Sequence, residues 1–469
     1  MNASRFFTQQ TAVTLAASAG HSVIDLGDVE QAGAEALSLN YEIQQLEQMS
    51  AGIQSLQDIT EESLQDGGLT AQAYRVIQSQ ASSIMAAVGH TPVNVNVQSF
   101  EGGIADRATA TNVCMLSLKT TAQNIWKAII DAIKEAMEKV KTWFAKMTNA
   151  VPSLIKKLEK VRDEASKKNE GLKDDAGEVK LNASSVKAIG TSKTPKIDRA
   201  GILAVPGKLG TASVVVRKLS KSIEAANKAA VSELSGLSAD KVADVTKAIN
   251  GAITFVKKYY DDCMNMGEKA TAANVTDLGV GEESKILDIG VGNLGIVFNT
   301  KVQAPTAVSL TEPTGDAEVD KGERAAAVET TKNLLTASSC QLSVRNIVDK
   351  VEDADEFEFK TLTTGEIVSL CNDAVEVLTE FKKYNEDQIK IDSVRKSAID
   401  KASGFAKKAD DLKGPEVDPA LARLVTDSAK ATANIVKNTG SLIPSFAGLT
   451  IRSMNTMLGV ASDSLKQYK

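Results

Sequence analysis

The residue types that most enzymes use for proton transfer and metal binding are scarce in this sequence. Its 469 residues include only two histidines, His21 and His90. General acid–base catalysis, catalytic triads and most zinc sites rely on a well-placed imidazole, so this count argues against those mechanisms. The four cysteines are far apart and none lies in a CxxC spacing: Cys114, Cys263, Cys340 and Cys371. We expect no metal ligands among them, but small buried side chains in a reducing compartment.

One glycine-rich string has the form of a cofactor-binding loop. A strand-like run from Ile286 leads into Gly290, Gly292 and Gly295, which resembles the first motif of class I methyltransferases. The residues that follow, 296–302, are β-branched and strand-like, whereas a cofactor site needs a helix at this point. The turn of a β-hairpin explains the glycines with ordinary turn chemistry. No cofactor is assigned, and an S-adenosylmethionine-dependent methyltransferase is the least favoured functional alternative.

Charged pairs in the sequence do not form a catalytic arrangement. Asp261-Asp262 and Asp410-Asp411 are adjacent in helical segments and therefore point about 100° apart, which is typical of solvated surface. The lysine pairs 156–157, 167–168 and 407–408 lack interleaved aromatic residues. They predict at most weak, sequence-independent contact with DNA. No catalytic residue is assigned.

Composition favours a mainly helical protein. Hydrophobic residues make up 43% and charged residues 24%, while aromatic residues make up 4% and only nine prolines occur. These values indicate a folded chain rich in helix formers. We predict long amphipathic helices and helical hairpins with a small inserted β subdomain, α+β overall. No apolar run approaches the ~18–20 residues of a membrane span, and no secretory signal is expected.

The charge distribution sets the first hundred residues apart. Residues 1–101 contain two arginines against eleven carboxylates, a net charge of −9. Residues 102–469 contain 52 basic and 49 acidic side chains, a net charge of +3. We therefore predict a separate acidic module that ends at Glu101.

This acidic module has the pattern of a helical hairpin. A helix over 29–65 is predicted from an apolar stripe at steps of three and four: Leu39, Ile43, Leu46, Met49, Ile53, Leu56 and Ile59. The glycines of Asp66-Gly67-Gly68 end it, and Thr70 caps a second helix. The apolar face of that second helix is Ala73, Ile77, Ile84 and Val88. The stretch 91–97 contains a proline and alternating valines, which predict an extended, accessible linker.

The strongest amphipathic pattern lies between Leu118 and Val151. Trp126, Trp143 and many aliphatic residues share one face, with lysines on the other. Carboxylates interrupt the basic face, so core packing is favoured over a membrane interface. Pro152 is predicted to start a separate helix, because proline suits a first helical turn.

The remainder is predicted as a mixed region followed by long helices. We expect surface loops over 169–199, helices over 210–236, 238–269 and 323–353, and C-terminal helices over 364–412 and 419–467 with a break at 440–444. The predicted short strands are 202–205, 286–289, 296–298, 301–303 and 357–359. The predicted divisions are therefore 1–101, 102–168, 169–363 and 364–469.

The order of these features resembles one known family. Four features in this order are similar to the internal head (prohead core) proteins of large contractile-tailed, or jumbo, bacteriophages. They are an acidic hairpin with Leu64-Gln65-Asp66-Gly67-Gly68-Leu69, a linker with Ser99-Phe100-Glu101-Gly102, a Trp/Lys amphipathic helix and the ending 464–469. The resemblance implies a virion structural protein. It also implies an N-terminal propeptide, which the phage maturation protease removes by cutting after a glutamate preceded, two residues earlier, by a small residue.

Ser99-Phe100-Glu101 fits that pattern, so the predicted cleavage-site residues are Ser99, Phe100, Glu101 and Gly102. Three other segments also fit it: 222–224, 327–329 and 374–376. Most of these lie in predicted helices, whereas Glu101 follows the linker, lies at the charge boundary and precedes two glycines.

The resemblance further implies a non-enzymatic protein inside the capsid, assembled in the host cytoplasm. The implied partners are other capsid and capsid-interior proteins, the head maturation protease and, through weak non-specific contacts, packaged DNA. The second functional hypothesis is a membrane-active, pore-forming-like helical protein in which 118–151 inserts into a membrane.

Overall fold

The computed structural model describes residues 27–87, 97–168, 171–173, 177–269, 284–299, 305–312, 314, 316–347, 351–411, 419–440 and 442–469. The helices are α1 (Gly27–Gln65), α2 (Ala71–Ala87), α3 (Ile104–Lys167), α4 (Ala183–Ile189), α5 (Arg199–Leu234), α6 (Val242–Met264), α7 (Ala317–Ser338), α8 (Thr364–Asp411), α9 (Pro419–Asn438) and α10 (Leu442–Leu465). The strands are β1 (Glu178–Leu181), β2 (Glu268–Lys269), β3 (Lys285–Val291), β4 (Leu294–Asn299), β5 (Gln341–Asn346) and β6 (Phe357–Lys360). The predicted fold class, mainly helical with a small β portion, is confirmed.

The chain forms two compact units. Of the described residues, one unit contains those from 35 to 139, and the other contains those from 140 to 469 together with 27–34. The division falls inside α3, so this helix contributes its first half to one unit and its second half to the other. The four sequence divisions given above remain a prediction.

The smaller unit contains the predicted helical hairpin. Ile43, Leu46, Ile53 and Leu56 are buried along α1 as the apolar stripe predicted. Ile59 is an exception, because it is 47% exposed while Thr60 takes the buried position one residue further round the helix. Leu39 lies on α1, and its side chain is outside the described residues, as is all of Val88.

The turn between α1 and α2 depends on its two glycines. Gly67 and Gly68 have φ angles of +84° and +94°, and the Gly68 N–H donates to the Ser63 carbonyl at 2.8 Å. A Cβ at Gly68 would lie 2.7 Å from the carbonyl carbon of Arg107, so no larger residue fits against α3 here. The Thr70 hydroxyl accepts from the Ala73 N–H at 3.2 Å, which confirms the predicted cap.

The prediction that Pro152 starts a new helix is wrong. α3 is one continuous helix of 64 residues with Pro152 in its interior. Proline cannot donate the usual hydrogen bond, which favours a kink or an end at this position. The apolar face nevertheless continues through the proline, with Met147, Val151, Leu154 and Leu158 all buried, and this packing maintains the helix.

Long helices form the core of the larger unit. α5 packs against α6, α8 and α10, and α9 packs against α6, α7 and α8. The aromatic rings of Phe144 and Phe381 stack with centroids 5.6 Å apart, which brings the second half of α3 against α8. The predicted C-terminal helices, with their break near Gly440, are confirmed.

Two small antiparallel sheets accompany these helices. β1 pairs with β6, with Glu178 opposite Lys360 and Leu181 opposite Phe357. The other four strands form a sheet in the order β2-β3-β4-β5. Phe298 of β4 contacts the rings of Tyr259 and Tyr260 edge-on, which packs this sheet against α6.

Three local predictions in this region are wrong. Residues 202–205 are helical rather than a strand. Asp198 caps the start of α5, because its side chain accepts from the Gly201 N–H at 2.6 Å. Ile202, Val205 and Leu209 are then buried along one face of the helix. The predicted loops over 169–199 contain β1 and α4, whose pairing partner β6 is distant in sequence. The predicted helix over 323–353 ends with α7, after which β5 pairs with β4. The predicted strand over 301–303 lies outside the described residues.

The segment 464–469 is held firmly by the larger unit. The Tyr468 hydroxyl donates to the Leu362 carbonyl at 3.0 Å, and the Lys173 N–H donates to the Gln467 carbonyl at 2.9 Å. Leu172 and Tyr468 form an antiparallel bridge. The ending that carries part of the family resemblance is therefore a packed element of the fold.

Among the described residues, α5 has the length and apolar composition of a membrane-crossing helix. In the structure it is a core helix, with Leu209, Val216 and Leu219 among its buried side chains. Core helices of helical bundles commonly have such a composition.

Candidate processing site

The four predicted cleavage-site residues span the end of a short helix and the segment that follows it. Val97–Phe100 forms a short 3₁₀-helix, and α3 begins three residues after Glu101. Ser99, Glu101 and Gly102 are all exposed. Most of the predicted linker, residues 91–96, lies outside the described residues.

Phe100 is the member of the site that is not accessible. It is 2% exposed, and its ring stacks on the ring of Tyr74 with centroids 4.2 Å apart and planes at 17°. The Glu101 N–H donates to the Gln98 carbonyl at 3.1 Å, closing the 3₁₀ turn. The extended conformation predicted to continue through this segment is therefore not observed, because burial of the phenyl ring favours the turn by about 1.5–3 kcal/mol.

The residues after the predicted scissile bond are also ordered. The Arg107 N–H donates to the Gly103 carbonyl at 3.0 Å in the first turn of α3. A Cβ at Gly102 would lie 2.8 Å from a carboxylate oxygen of Asp106, so glycine lets the chain pass close to this side chain. Asp106 itself suits the first turn of a helix, where the dipole favours negative charge.

Thr111 connects the start of α3 to the turn of the hairpin. Its hydroxyl accepts from the Leu69 N–H at 2.8 Å and donates to the Arg107 carbonyl at 2.7 Å. The site is thus held on both sides by the hairpin: Tyr74 contacts Phe100 before it, and Leu69 binds Thr111 after it. The sequence predicts the site residues but neither of these two contacts.

The other three segments that fit the cleavage pattern lie inside helices. Residues 222–224 are in α5, 327–329 in α7 and 374–376 in α8. Each contains a buried residue: Ile223 is 3% exposed, Ala327 2% and Ala374 0%. A protease would have to unwind these helices to bind them.

The glycine-rich string forms the β-hairpin that its sequence predicted. β3 and β4 pair antiparallel, and the turn residues Gly292 and Asn293 have φ angles of +63° and +54°. Two positive φ angles are typical of a type I′ hairpin turn, and glycine and asparagine are the residues that adopt them most readily. The Asn293 side chain hydrogen bonds to both backbone groups of Ser192. Strand β4 occupies the place where a cofactor loop would require a helix.

Three of the cysteine thiols are buried in surroundings that keep them protonated. Burial raises the pKa of the Cys114 thiol to about 11 and that of Cys340 and Cys371 to about 12. The thiolate is the reactive form of cysteine, so these three are poor nucleophiles at neutral pH. Within the described ranges, no three His, Cys, Asp or Glu side chains are grouped in a way that would hold a metal ion.

The face of 118–151 that the membrane hypothesis requires is buried. Trp126, Ile129, Ile130, Trp143 and Phe144 are each at most 8% exposed. Insertion of this segment into a membrane would require α3 to leave its present packing.

Comparison with known proteins identifies the family. The sequence pattern of the phiKZ-like phage internal head proteins matches residues 22–463. This chain belongs to that family. The match spans the whole smaller unit and most of the larger unit of the internal head protein, and it includes the candidate processing site. It places the protein in the interior of a bacteriophage capsid, among other capsid components.

The match to the internal head proteins stops at residue 463, immediately before the packed ending 464–469. No curated protein and no solved structure matches this chain.

Proposed function

We propose that this internal head protein is made as a precursor in the host cytoplasm and is cut after Glu101 by the phage maturation protease. The acidic residues 1–101 are the propeptide, and residues 102–469 are the mature body. The body has a structural role in the capsid interior and performs no catalysis.

The observation that supports this site best is its combination of exposure and position. Ser99 is exposed in a four-residue turn, and Glu101 and Gly102 are exposed directly after it. The competing segments are in long helices with buried residues. Opening one 3₁₀ turn costs far less than unwinding a core helix. For a protease to bind an extended chain here, the Phe100 ring and the short turn must move and the first turn of α3 must fray.

Charge gives the cut a physical purpose. Removing a segment of net charge −9 leaves a body of net charge +3, which is less strongly repelled by packaged DNA. The contacts with DNA are weak and independent of sequence. Before the cut, the acidic segment favours basic partners among the other proteins of the capsid interior.

A structural rather than catalytic role agrees with the residue inventory. Both histidines lie before Glu101, so the processed body contains none. The burial of Cys114, Cys340 and Cys371, with the raised pKa of each thiol, makes thiolate chemistry unfavourable.

Co-expression of the full chain with the maturation protease tests this proposal. The expected product, by intact mass, begins at Gly102 and lacks 101 of the 469 residues. Glu101→Gln should abolish the cut, since it replaces the carboxylate that the cleavage rule requires. Glu224→Gln, in a competing segment within α5, is the matched control and should be processed normally. A Glu101→Gln chain that is still cut at this bond would contradict the proposal.

A further inference from the structure

The first half of α3 is built into the same compact unit as the hairpin, yet it follows the proposed cut. Residues 104–139 stay with the body when residues 1–101 leave. Inside the unit, one line of α3 side chains is buried at steps of three and four: Thr111, Cys114, Leu118, Thr121 and Ile125, here called the α3 seam. Each of these is at most 5% exposed. The hairpin contacts this line at Thr111, whose hydroxyl accepts from the Leu69 N–H at 2.8 Å. Loss of residues 1–101 removes every element of the smaller unit that precedes α3.

We propose that removal of the propeptide uncovers the α3 seam, and that the body then pairs through it with the α3 seam of a second copy of this chain. This proposal rests on the proposed function for its biological setting. The paired state is a homodimer, or the repeating contact of a larger assembly. The hairpin therefore prevents self-association until the cut has been made.

The spacing of the seam favours a helix as its partner. Steps of 3, 4, 3 and 4 residues are the heptad pattern of a coiled coil, in which each side chain inserts between side chains of the facing helix. Three of the five seam residues, at 111, 114 and 121, are smaller than Leu118 and Ile125, so two copies can approach closely. Ile129, Ala132 and Ala136 continue the buried line along α3. The line from 111 to 136 is about 39 Å long at 1.5 Å per residue.

The charge around the seam favours another protein over a lipid surface. Residues 104–139 carry five basic and four acidic side chains, in mixed order. A helix that binds anionic membranes needs a polar face dominated by lysine and arginine. A near-neutral mixed face suits a second copy of itself, because opposite charges are available on both helices. A symmetric pair also needs only one kind of surface.

Cys114 offers a probe that lies within the seam. It is 5% exposed in the intact chain, and burial raises the pKa of its thiol to about 11, so alkylation should be slow. The other cysteines, Cys263, Cys340 and Cys371, are buried in the larger unit and serve as internal controls.

The experiment uses the full chain with the recognition sequence of a site-specific protease inserted between Gly102 and Gly103, both of which are exposed. Iodoacetamide labelling of Cys114 is followed by mass spectrometry at several protein concentrations, and sedimentation gives the mass of each species. The intact chain should be monomeric and slowly labelled at every concentration. After the cut, labelling at low concentration should rise at least tenfold. At high concentration it should fall again as dimers form.

Two variants separate the seam from the rest of α3. Leu118→Ala, in the seam, should weaken the association of the cut body at least tenfold. Leu116→Ala, on the opposite face and 64% exposed, should leave it unchanged. Circular dichroism of both intact variants should match that of the parent chain, because alanine preserves the helix.

Three results would overturn the proposal. Slow labelling of a cut monomer at every concentration would mean that the hairpin stays bound. Fast labelling of a cut monomer at every concentration would mean that the exposed seam has no affinity for itself. Binding of the cut body to phosphatidylglycerol vesicles without self-association would assign the seam to a membrane. The inserted cleavage sequence makes all three readouts independent of the phage protease, so they stand even if Glu101 proves not to be the natural site.

Discussion

The phenyl ring of Phe100 stacks on the phenol ring of Tyr74 at a centroid distance of 4.2 Å, one residue before the bond at which we propose cleavage. Twenty-six residues separate the two rings in sequence, and Tyr74 belongs to the segment that cleavage would remove. The contact holds the site in a 3₁₀ turn while Ser99 and Glu101 stay exposed. Under the proposed cleavage, the protease would need the turn to open as well as the correct sequence around Glu101.

Replacement of Tyr74 should make the site easier to cut. Tyr74→Ala removes the stacking partner without changing any residue of the cleavage pattern, so the open turn is populated more often. A loss of about 1.4 kcal/mol from the aromatic contact predicts an approximately tenfold higher rate of cleavage after Glu101. A glutamate-specific endoprotease at low concentration measures this rate. Tyr74→Phe, which keeps the ring, should be cut at the parental rate, and equal rates for all three chains would refute the role of the stacking.

Thr111 should stabilise the junction between the hairpin and α3. Thr111→Val keeps the shape of the side chain but leaves the Leu69 N–H, which belongs to a residue only 1% exposed, without its acceptor. An unsatisfied buried donor costs about 1–3 kcal/mol. Hydrogen exchange of the peptide that contains residue 69 should accelerate accordingly. Thr109→Val is the control: Thr109 is exposed and bonds only within its own helix, so exchange at residue 69 should not change.

The candidate site could be located from the sequence, whereas its conformation could not. Exposure of Ser99 and Glu101 followed from the proline-containing linker and the charge boundary. Burial of Phe100 arises from a contact with Tyr74 across a hairpin, and no local pattern encodes such a contact. The predicted apolar face of α2 included Ala73, but the residue that is buried is the next one, Tyr74.

The helices were predictable where an apolar stripe coincided with caps. α1, α2, α8, α9 and α10 all follow from spacing, glycine turns and prolines. The failures share one cause, namely that packing overrode local preference. Ile202 to Val205 reads as a strand by its β-branched residues but forms part of α5, and Pro152 is carried through α3 by buried neighbours on both sides. Strand β5 is stabilised by its pairing with β4. The residue spacing within β5 does not predict that pairing.

Two glycines should respond oppositely to alanine. A Cβ at Gly440 would overlap the buried guanidinium of Arg395, which donates to the Val436 carbonyl through Nε at 3.0 Å and Nη2 at 2.8 Å. Gly440→Ala should therefore destabilise the larger unit by about 2 kcal/mol. Gly404 lies within α8 with no atom of the described structure near the position of a Cβ, so Gly404→Ala should stabilise it by about 0.5–1 kcal/mol. Thermal unfolding of both variants checks the two signs, and a stable Gly440→Ala chain would show that Arg395 can move.

Glu366 should make α8 sensitive to acid. Partial burial alone would raise the pKa of its carboxyl group. The carboxylate accepts hydrogen bonds from the Thr363 N–H at 2.7 Å and the Thr363 hydroxyl at 2.9 Å, and it pairs with the Arg199 guanidinium. These contacts outweigh the effect of burial, so the pKa of Glu366 is lowered. A lowered pKa in the folded state means that the ionised carboxylate stabilises the fold above the ordinary value of 4.5. That stabilisation is lost as the pH falls through the lowered pKa.

Glu366→Ala should accordingly cost about 1 kcal/mol at pH 7, as loss of a capping box does. Urea unfolding at pH 7 and pH 3 should show the difference from the parent chain shrinking in acid. A difference that is the same at both pH values would mean that the charge of Glu366 contributes nothing.

Processing of this internal head protein after Glu101, as we propose, is tested most directly by the intact mass and N-terminal sequence of the protein recovered from its own phage particle. We predict a chain that begins Gly102-Gly103-Ile104 and contains no histidine. A chain from the particle that still carries residues 1–101 would contradict the claim.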